Sequence, residues 1–356
     1  CLIGKPCADG GAFYRSKKTR ESHAGWYVLI GICAAVPCLM VLVLLLMSAD
    51  MVFADLLVRF AGVFRFPVKL LRILLMLVFG FLSSYCGVRY VQKHAADIKP
   101  SAGKTAEPLI AIAFTAPIAV LYLLFSAIQI VYLFIGNMQL PAGVTYAEYA
   151  RRGFFQLLFV CVLNLAAVLS IQSYFKENRV LKALLLAISG CTLIMTASSA
   201  CRMLLYIRAY QLTFLRVSVL VALAVIALLM AGVIAKIVKP QFPLFRYGFV
   251  LAGAVYLVFA FSHVDYFIAA YNLTHTSWEA SGEETVDYSY LYTLSTDAAP
   301  AIEKYAGKSG AADYRKQGWY QLYCEANEEA LNETGLRTYN VSHAVAKQLL
   351  MEDNRE

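Results

Sequence analysis

Long apolar runs separated by short polar stretches dominate the first 263 positions of the chain. A helix needs about 20 mostly apolar residues to cross a membrane. This pattern predicts seven spanning helices, at residues 26–47, 70–88, 109–135, 153–173, 183–206, 214–238 and 247–262. The loops between the last four are short, which favours antiparallel packing of neighbouring helices.

The segment at residues 48–66 has a different pattern, because charged side chains recur among its apolar ones. Asp50, Asp55 and Arg59 alternate with residues such as Phe53 and Leu56. This spacing is typical of an amphipathic helix that lies in the membrane interface.

The chain after residue 263 is polar, yet its pattern predicts helices. Thr296 is placed to cap a helix through residue 305, and Ser342 is placed to cap a last helix that ends at residue 351. Residues 311–332 also have helical character. We expect a small helical domain that lies against the membrane face or against a partner protein.

These patterns together predict an all-α fold: a polytopic transmembrane helix bundle of about seven spans, an interfacial helix and a small helical C-terminal domain. The predicted domains are a basic N-terminal segment (1–25), a transmembrane domain (26–263) and an acidic soluble tail (264–356).

Composition supports a membrane location, because 60% of the residues are hydrophobic and only 15% are charged. Soluble proteins carry about 25% charged residues. Residues 264–356 hold 15 acidic against 7 basic side chains, whereas the preceding residues hold 8 against 24. The basic part predicts contact with anionic lipid. No nucleic-acid binding is expected, since the basic residues are interrupted by apolar runs.

The distribution of Lys and Arg predicts the orientation of the chain. With the N-terminus in the cytoplasm, 15 of these residues in the flanking loops face the cytoplasm and 9 face the other side. The positive-inside rule therefore favours a cytoplasmic N-terminus and an extracytoplasmic tail.

The nine cysteines form no C-x-x-C pair and no Cys/His cluster. No metal site, cofactor or catalytic residue is expected, and phosphate-binding loops and hydrolase or kinase signatures are absent from the sequence. The chain begins at Cys1. We expect a piece of a longer protein, with a processed N-terminus as the alternative.

Basic and aromatic side chains gather where the fifth predicted span turns into the sixth. They are Arg202, Tyr206, Arg208, Tyr210 and Arg216. Guanidinium groups bind phosphate in a fork, so this group is a candidate site for an anion or a lipid head group. The alternative is that the arginines extend to the interface and the tyrosines are belt residues.

Glu148, Arg151 and Arg152 precede the fourth predicted span, on the same predicted side as Arg202. On a helix, Glu148 lies three positions before Arg151 and four before Arg152, and either spacing predicts an ion pair. The alternative is that all three residues complete the site at Arg202.

Other polar side chains near the spans have structural interpretations. Asp50 is expected to cap the interfacial helix, with paired-carboxylate chemistry beside Asp55 as the alternative. Gln129 and Asn164 are expected to form hydrogen bonds between helices, as is Gln172. His263 and Asp265 are expected to form a structural pair.

Three stretches of the chain carry a family resemblance. They are residues 48–53 (SADMVF), residues 146–157 (YAEYARRGFFQL), and residues 202–206 to 216 together with 271–273, 287–288 and 294–300 (LSTDAAP). In this order they resemble a bacterial membrane-protein family, domain of unknown function 4173, with its 4153 relatives. The resemblance implies a multi-pass protein of a bacterial cell membrane without an established activity, and Gln156 stands where an acidic residue is expected.

Three functions remain open at this stage. The first is a non-enzymatic envelope subunit or sensor whose tail meets a protein partner. The second is a transporter or channel for a small or lipid-linked anion. The third is an integral-membrane enzyme that acts on lipid-linked substrates, with Glu148 or Asp50 as its base.

Overall fold

The fold of the described residues is helical. A computed structural model describes residues 23–61, 106–131, 154–275, 277–278, 284–285, 288–305, 318–332 and 340–351. The helices up to residue 274 are α1 (His23–Ala49), α2 (Met51–Ala61), α3 (Pro108–Gln129), α4 (Phe154–Tyr174), α5 (Arg179–Tyr210), α6 (Phe214–Val238), α7 (Leu244–Phe261) and α8 (Val264–Thr274). Helices α1 and α3 to α7, six within the described part, are long and apolar enough to cross a membrane.

These six helices match six of the seven predicted spans, and the span predicted at residues 70–88 lies outside the described residues. The prediction of a polytopic helix bundle is thereby confirmed. Helix α5 begins earlier and ends later than its predicted span, because the residues flanking its apolar centre continue the helix. Pro37 and Pro117 lie inside α1 and α3, since neighbouring helices can satisfy the backbone groups that proline leaves unpaired.

The C-terminal part has short elements. Two antiparallel two-residue strands, β1 (Ser277–Trp278) and β2 (Glu284–Thr285), follow α8. Then come α9 (Tyr288–Leu291), a 3₁₀ turn (Thr296–Ala298), α10 (Ala299–Tyr305), α11 (Gly318–Asn332) and α12 (Val341–Met351). The small helical C-terminal domain is therefore present.

Two predicted caps are wrong by a residue or two. Ser295, not Thr296, precedes the 3₁₀ turn. Asn340, not Ser342, caps α12, because its side-chain oxygen accepts a hydrogen bond of 2.9 Å from the Ser342 N–H.

The chain divides into two compact units, the first comprising Cys1–Gln139, Arg152–Ser199 and Ile226–Leu244. In this unit α1 packs against α3 and α4. Its core includes Leu46, Phe53 and Phe125, and the last two rings meet edge to face with their centroids 5.1 Å apart. The core of the first unit is therefore formed where these helices face one another.

The second unit comprises Leu140–Arg151, Ala200–Val225 and Phe245–Glu356. Its core is formed by α8, α10, α11 and α12 around Ile268, Ile302 and Tyr323. The predicted domain boundaries after residues 25 and 263 remain predictions. Helix α7 has no buried residue in the described part of the chain, as expected for an apolar helix that faces lipid.

Candidate functional site

Arg202, the centre of the predicted anion site, lies near the end of α5 and is only 1% exposed. Withdrawing a guanidinium from water is costly unless hydrogen bonds or a countercharge compensate it, and Arg202 has interaction partners. It is not a side chain that extends freely into solvent.

Tyr206 and Tyr210 follow Arg202 along one face of α5, because residues four apart lie above one another on a helix. The centroids of their rings lie 5.2 Å apart. Arg216 completes the group from α6, with its guanidinium carbon 4.3 Å from the centre of the Tyr206 ring. Tyr206, Tyr210 and Arg216 thus form one aromatic and cationic cluster.

Arg216 also has a structural task. Its Nη1 donates hydrogen bonds to the carbonyl oxygens of Tyr210, at 2.5 Å, and of Gln211. Terminal carbonyl groups of a helix lack partners within the helix, and a cation is favoured at that end. Arg216 therefore stabilises the end of α5 in addition to its contact with Tyr206.

Arg208 is not on the same face. Six positions after Arg202 correspond to a rotation of about 240°, and Arg208 is exposed. Glu148, Arg151 and Arg152 lie outside the described residues. A role in anion binding therefore remains a prediction for Arg208 and for the three residues that precede α4. The same holds for Arg202.

Sequence reasoning missed a pair of amide side chains beside this cluster. Gln211 is 2% exposed and adopts a left-handed backbone conformation (φ 63°), at a helix end where glycine is usual. Its Nε2 donates to the carbonyl oxygens of Asn272, at 3.2 Å, and His275, at 2.9 Å.

Asn272 returns the interaction. Its Oδ1 accepts from the Leu212 N–H at 2.8 Å, and its Nδ2 donates to the Leu212 carbonyl at 2.9 Å. The turn between α5 and α6 is thus joined to α8 by two side chains: Gln211 of the turn bonds the backbone at the end of α8, and Asn272 of α8 bonds the backbone of the turn. The sequence singled out Tyr271-Asn272-Leu273 as part of the family resemblance. That stretch alone does not indicate which residue Asn272 contacts.

His263 and Asp265 do not pair with each other as predicted. Asp265 Oδ2 accepts hydrogen bonds from the Ser295 N–H, at 3.1 Å, and from its hydroxyl, at 2.6 Å. His263 Nδ1 lies 3.5 Å from Asp297. Both side chains face residues 295–297, because the C-terminal part of the chain folds back onto the beginning of α8.

In the first unit, Asp50 occupies the junction of α1 and α2 and is 4% exposed. One carboxylate oxygen accepts from the Phe53 N–H at 2.9 Å, which confirms the predicted cap. The other accepts from Gln129 Nε2 at 2.8 Å, and Gln129 in turn accepts from the Ser198 hydroxyl at 2.5 Å. This network joins three segments of the chain.

A second network lies among α3, α4 and α5. The Tyr122 hydroxyl donates to Asn164 at 2.6 Å, and Asn164 Nδ2 donates to the Thr192 hydroxyl at 2.9 Å. The predicted interhelical hydrogen bonds of Gln129 and Asn164 are confirmed. Within the described residues no group of three or more His, Cys, Asp or Glu side chains is placed to hold a metal ion.

Comparison with known proteins gives one family. Residues 1–305 match the family described as Domain of unknown function (DUF4153). Neither the curated proteins nor the solved structures contain a match. The matched range covers most of the chain, including all of the first compact unit and part of the second, and it agrees with the resemblance found in the sequence. The chain therefore belongs to the DUF4153 family, and it is a multi-pass membrane protein.

Proposed function

We propose that this protein is a non-enzymatic subunit or sensor whose C-terminal domain binds a protein partner while its apolar helices anchor it in the membrane. The observation that carries the proposal is the separate core of the second unit. Residues after 263 bury Leu291, Ile302 and Tyr323 together with Ile268. Such a core holds the domain in one fold, so its surface can present a fixed binding face to a partner.

The attachment of this domain supports a sensor role. The Asn272 amide bonds to Leu212, and the Phe214 N–H donates to the Tyr290 hydroxyl at 2.9 Å. Both contacts join the C-terminal part to the turn between two membrane-spanning helices. A displacement of that turn would therefore be transmitted to the domain.

The arrangement of Asp50 argues against this residue as the base of an enzyme. A general base must be able to reach a substrate proton, yet Asp50 is buried and both of its oxygens accept hydrogen bonds within the protein. Its role in the described structure is to cap α2 and join helices.

Photo-crosslinking tests the partner. A photoreactive amino acid at Leu322, Val341 or Val345, whose side chains are exposed on α11 and α12, is expected to give one discrete protein adduct in native membranes. Phe249, exposed on α7, is the control and should give lipid adducts. The same adduct should weaken in Asn272→Ala if the attachment sets the orientation of the domain. Lipid adducts alone from all three tail positions would contradict the proposal.

An anion transporter is the second candidate, favoured by the buried guanidinium of Arg202 and the Arg216–Tyr206 contact. Here purified protein in liposomes should carry an anion flux that Arg202→Leu abolishes and Arg202→Lys retains in part. Absence of flux in the unaltered protein would leave the subunit proposal in place.

For location we propose a bacterial cell (inner) membrane, with a cytoplasmic N-terminus and an extracytoplasmic C-terminal domain. The excess of Lys and Arg in the predicted cytoplasmic loops supports this orientation.

A further inference from the structure

A pocket of about 340 Å³ lies in the first unit, and none of its lining residues belongs to the arginine cluster. The end of α4, the start of α5, the end of α6 and the turn that follows α6 form its walls. Small-molecule sites in proteins begin at about this volume. The pocket is therefore large enough for a phosphate group and part of the molecule that carries it.

The lining of this pocket includes three basic residues and one acidic residue. The basic residues are Lys176, Lys182 and Lys236, and the acidic residue is Glu177. Lys182 pairs with Glu177 at 2.8 Å, while Lys176 pairs at 2.8 Å with Glu107, which is not part of the lining. The lining therefore carries an excess of positive charge.

The lysines keep capacity for a further ligand. Each ammonium has three donors, and the two ion pairs are half-exposed, so solvent screening leaves them weak. Lys236 Nζ donates to the Pro240 carbonyl at 2.5 Å, which directs it toward the turn after α6. The hydrogen bond to Glu107 raises the pKa of Lys176 above its ordinary value of 10.5.

Other donors and the backbone add to the attraction for an anion. Helix α5, 32 residues long, begins at this pocket, and the N-terminus of a helix carries a partial positive charge. Asn178, whose side-chain oxygen accepts from the Val180 N–H at 2.8 Å, and Gln172 are also among the lining residues.

Apart from Ser173, the remainder of the lining is apolar and lies at or next to the ends of membrane-spanning helices. It includes Leu169, Leu181, Leu185, Ile237 and Leu244. A fully hydrated inorganic ion gains little from such surface, whereas the glycerol or acyl portion of a lipid gains by burying it. The charged and apolar parts of the lining match the two parts of a lipid, a phosphate group and the apolar portion attached to it.

We propose that this pocket binds the phosphate group of an anionic phospholipid through Lys176, Lys182 and Lys236. The proposal goes beyond the partner-binding role, since it concerns other residues in the other unit. In the predicted orientation these lysines face the cytoplasmic leaflet, where anionic lipids are common.

Native mass spectrometry of the full chain in detergent tests this proposal, with phosphatidylglycerol and phosphatidylcholine added in equal amounts. The unaltered protein should retain the anionic lipid several-fold more than the zwitterionic one. Lys176→Gln, Lys182→Gln and Lys236→Gln in one chain should remove that preference. The matched control replaces Arg179, Lys239 and Arg246, which lie nearby in sequence but outside the lining, with Gln and should keep it.

Further arms separate the alternatives. Lys→Arg at the three positions should keep the preference, since the positive charges remain, and an unchanged thermal unfolding temperature of the Gln variant shows that its loss of preference is not unfolding. Competition by millimolar inorganic phosphate would identify free phosphate, not lipid, as the source of the bound group. Equal retention of phosphatidylglycerol by the unaltered protein and the Gln variant, or equal loss in the control variant, would overturn the proposal.

Discussion

At the scale of single residues, the contact between α1 and α3 depends on the absence of a side chain at Gly31. A Cβ atom there would lie 2.6 Å from the Ala113 Cβ and 2.6 Å from the Ile110 carbonyl oxygen. Small residues allow membrane helices to approach this closely, and dispersion contacts between them stabilise the pair. Apolar periodicity marks Gly31 only as one more position in a span.

Gly31→Ala is therefore expected to destabilise the protein by about 1–3 kcal/mol, since overpacking forces the helices apart. Gly190→Ala in α5 is the matched control, because nothing lies within 4 Å of a Cβ atom there. The measurement is the thermal unfolding temperature of each full chain in detergent. Equal unfolding temperatures for the two variants would show that α1 and α3 leave room for a methyl group at Gly31.

At the scale of elements, the C-terminal helices owe their positions to a few buried polar contacts within an apolar core. The Tyr323 hydroxyl on α11 donates to the Ser295 carbonyl at 2.9 Å, and Asn327 Nδ2 donates to the Leu294 carbonyl at 3.1 Å. These bonds fix α11 against the segment that leads into α10. The helices were predictable from the sequence, but their partners are far away along the chain.

Burial raises the pKa of the Tyr323 hydroxyl above its ordinary value of 10.0. The unfolded chain therefore releases this proton first, so the contribution of Tyr323 to stability is complete below pH 10 and falls as the pH rises further. The expected loss is about 1.4 kcal/mol per pH unit above that point.

Tyr323→Phe tests this expectation. The variant should be less stable at neutral pH by about 1 kcal/mol, because the hydrogen bond to Ser295 is lost. Between pH 10 and 11 it should lose less stability than the unaltered chain, as measured by unfolding in detergent. Identical pH profiles would mean that Tyr323 is accessible to water.

At the scale of the whole molecule, the orientation of the chain determines which proposed interactions can occur. If the C-terminal domain is extracytoplasmic, its partner belongs to the cell envelope. The lysine pocket then faces the cytoplasmic leaflet. Both proposals therefore depend on the same topology.

Reporter fusions after Met351 test that topology. Alkaline phosphatase, which is active only after export, should be active there, and green fluorescent protein should be dark when exported by the general secretory route. Fusions within the loop between α4 and α5, near Glu177, should show the reverse. The opposite pattern at both positions would place the C-terminal domain in the cytoplasm and the loop outside it. One miscounted span before α4 would produce that result.

The sequence by itself determined the fold class, six spans now seen as helices, the helical C-terminal part, and the roles of Asp50, Gln129 and Asn164. Apolar length and local spacing are properties of neighbouring residues, and the cost of an unpaired polar group in a membrane applies whatever its partner is. The tertiary structure decided which distant groups meet. It placed Gln211 with Asn272, Asp265 with Ser295, and three lysines around one pocket, because such contacts depend on helix packing that no local pattern encodes.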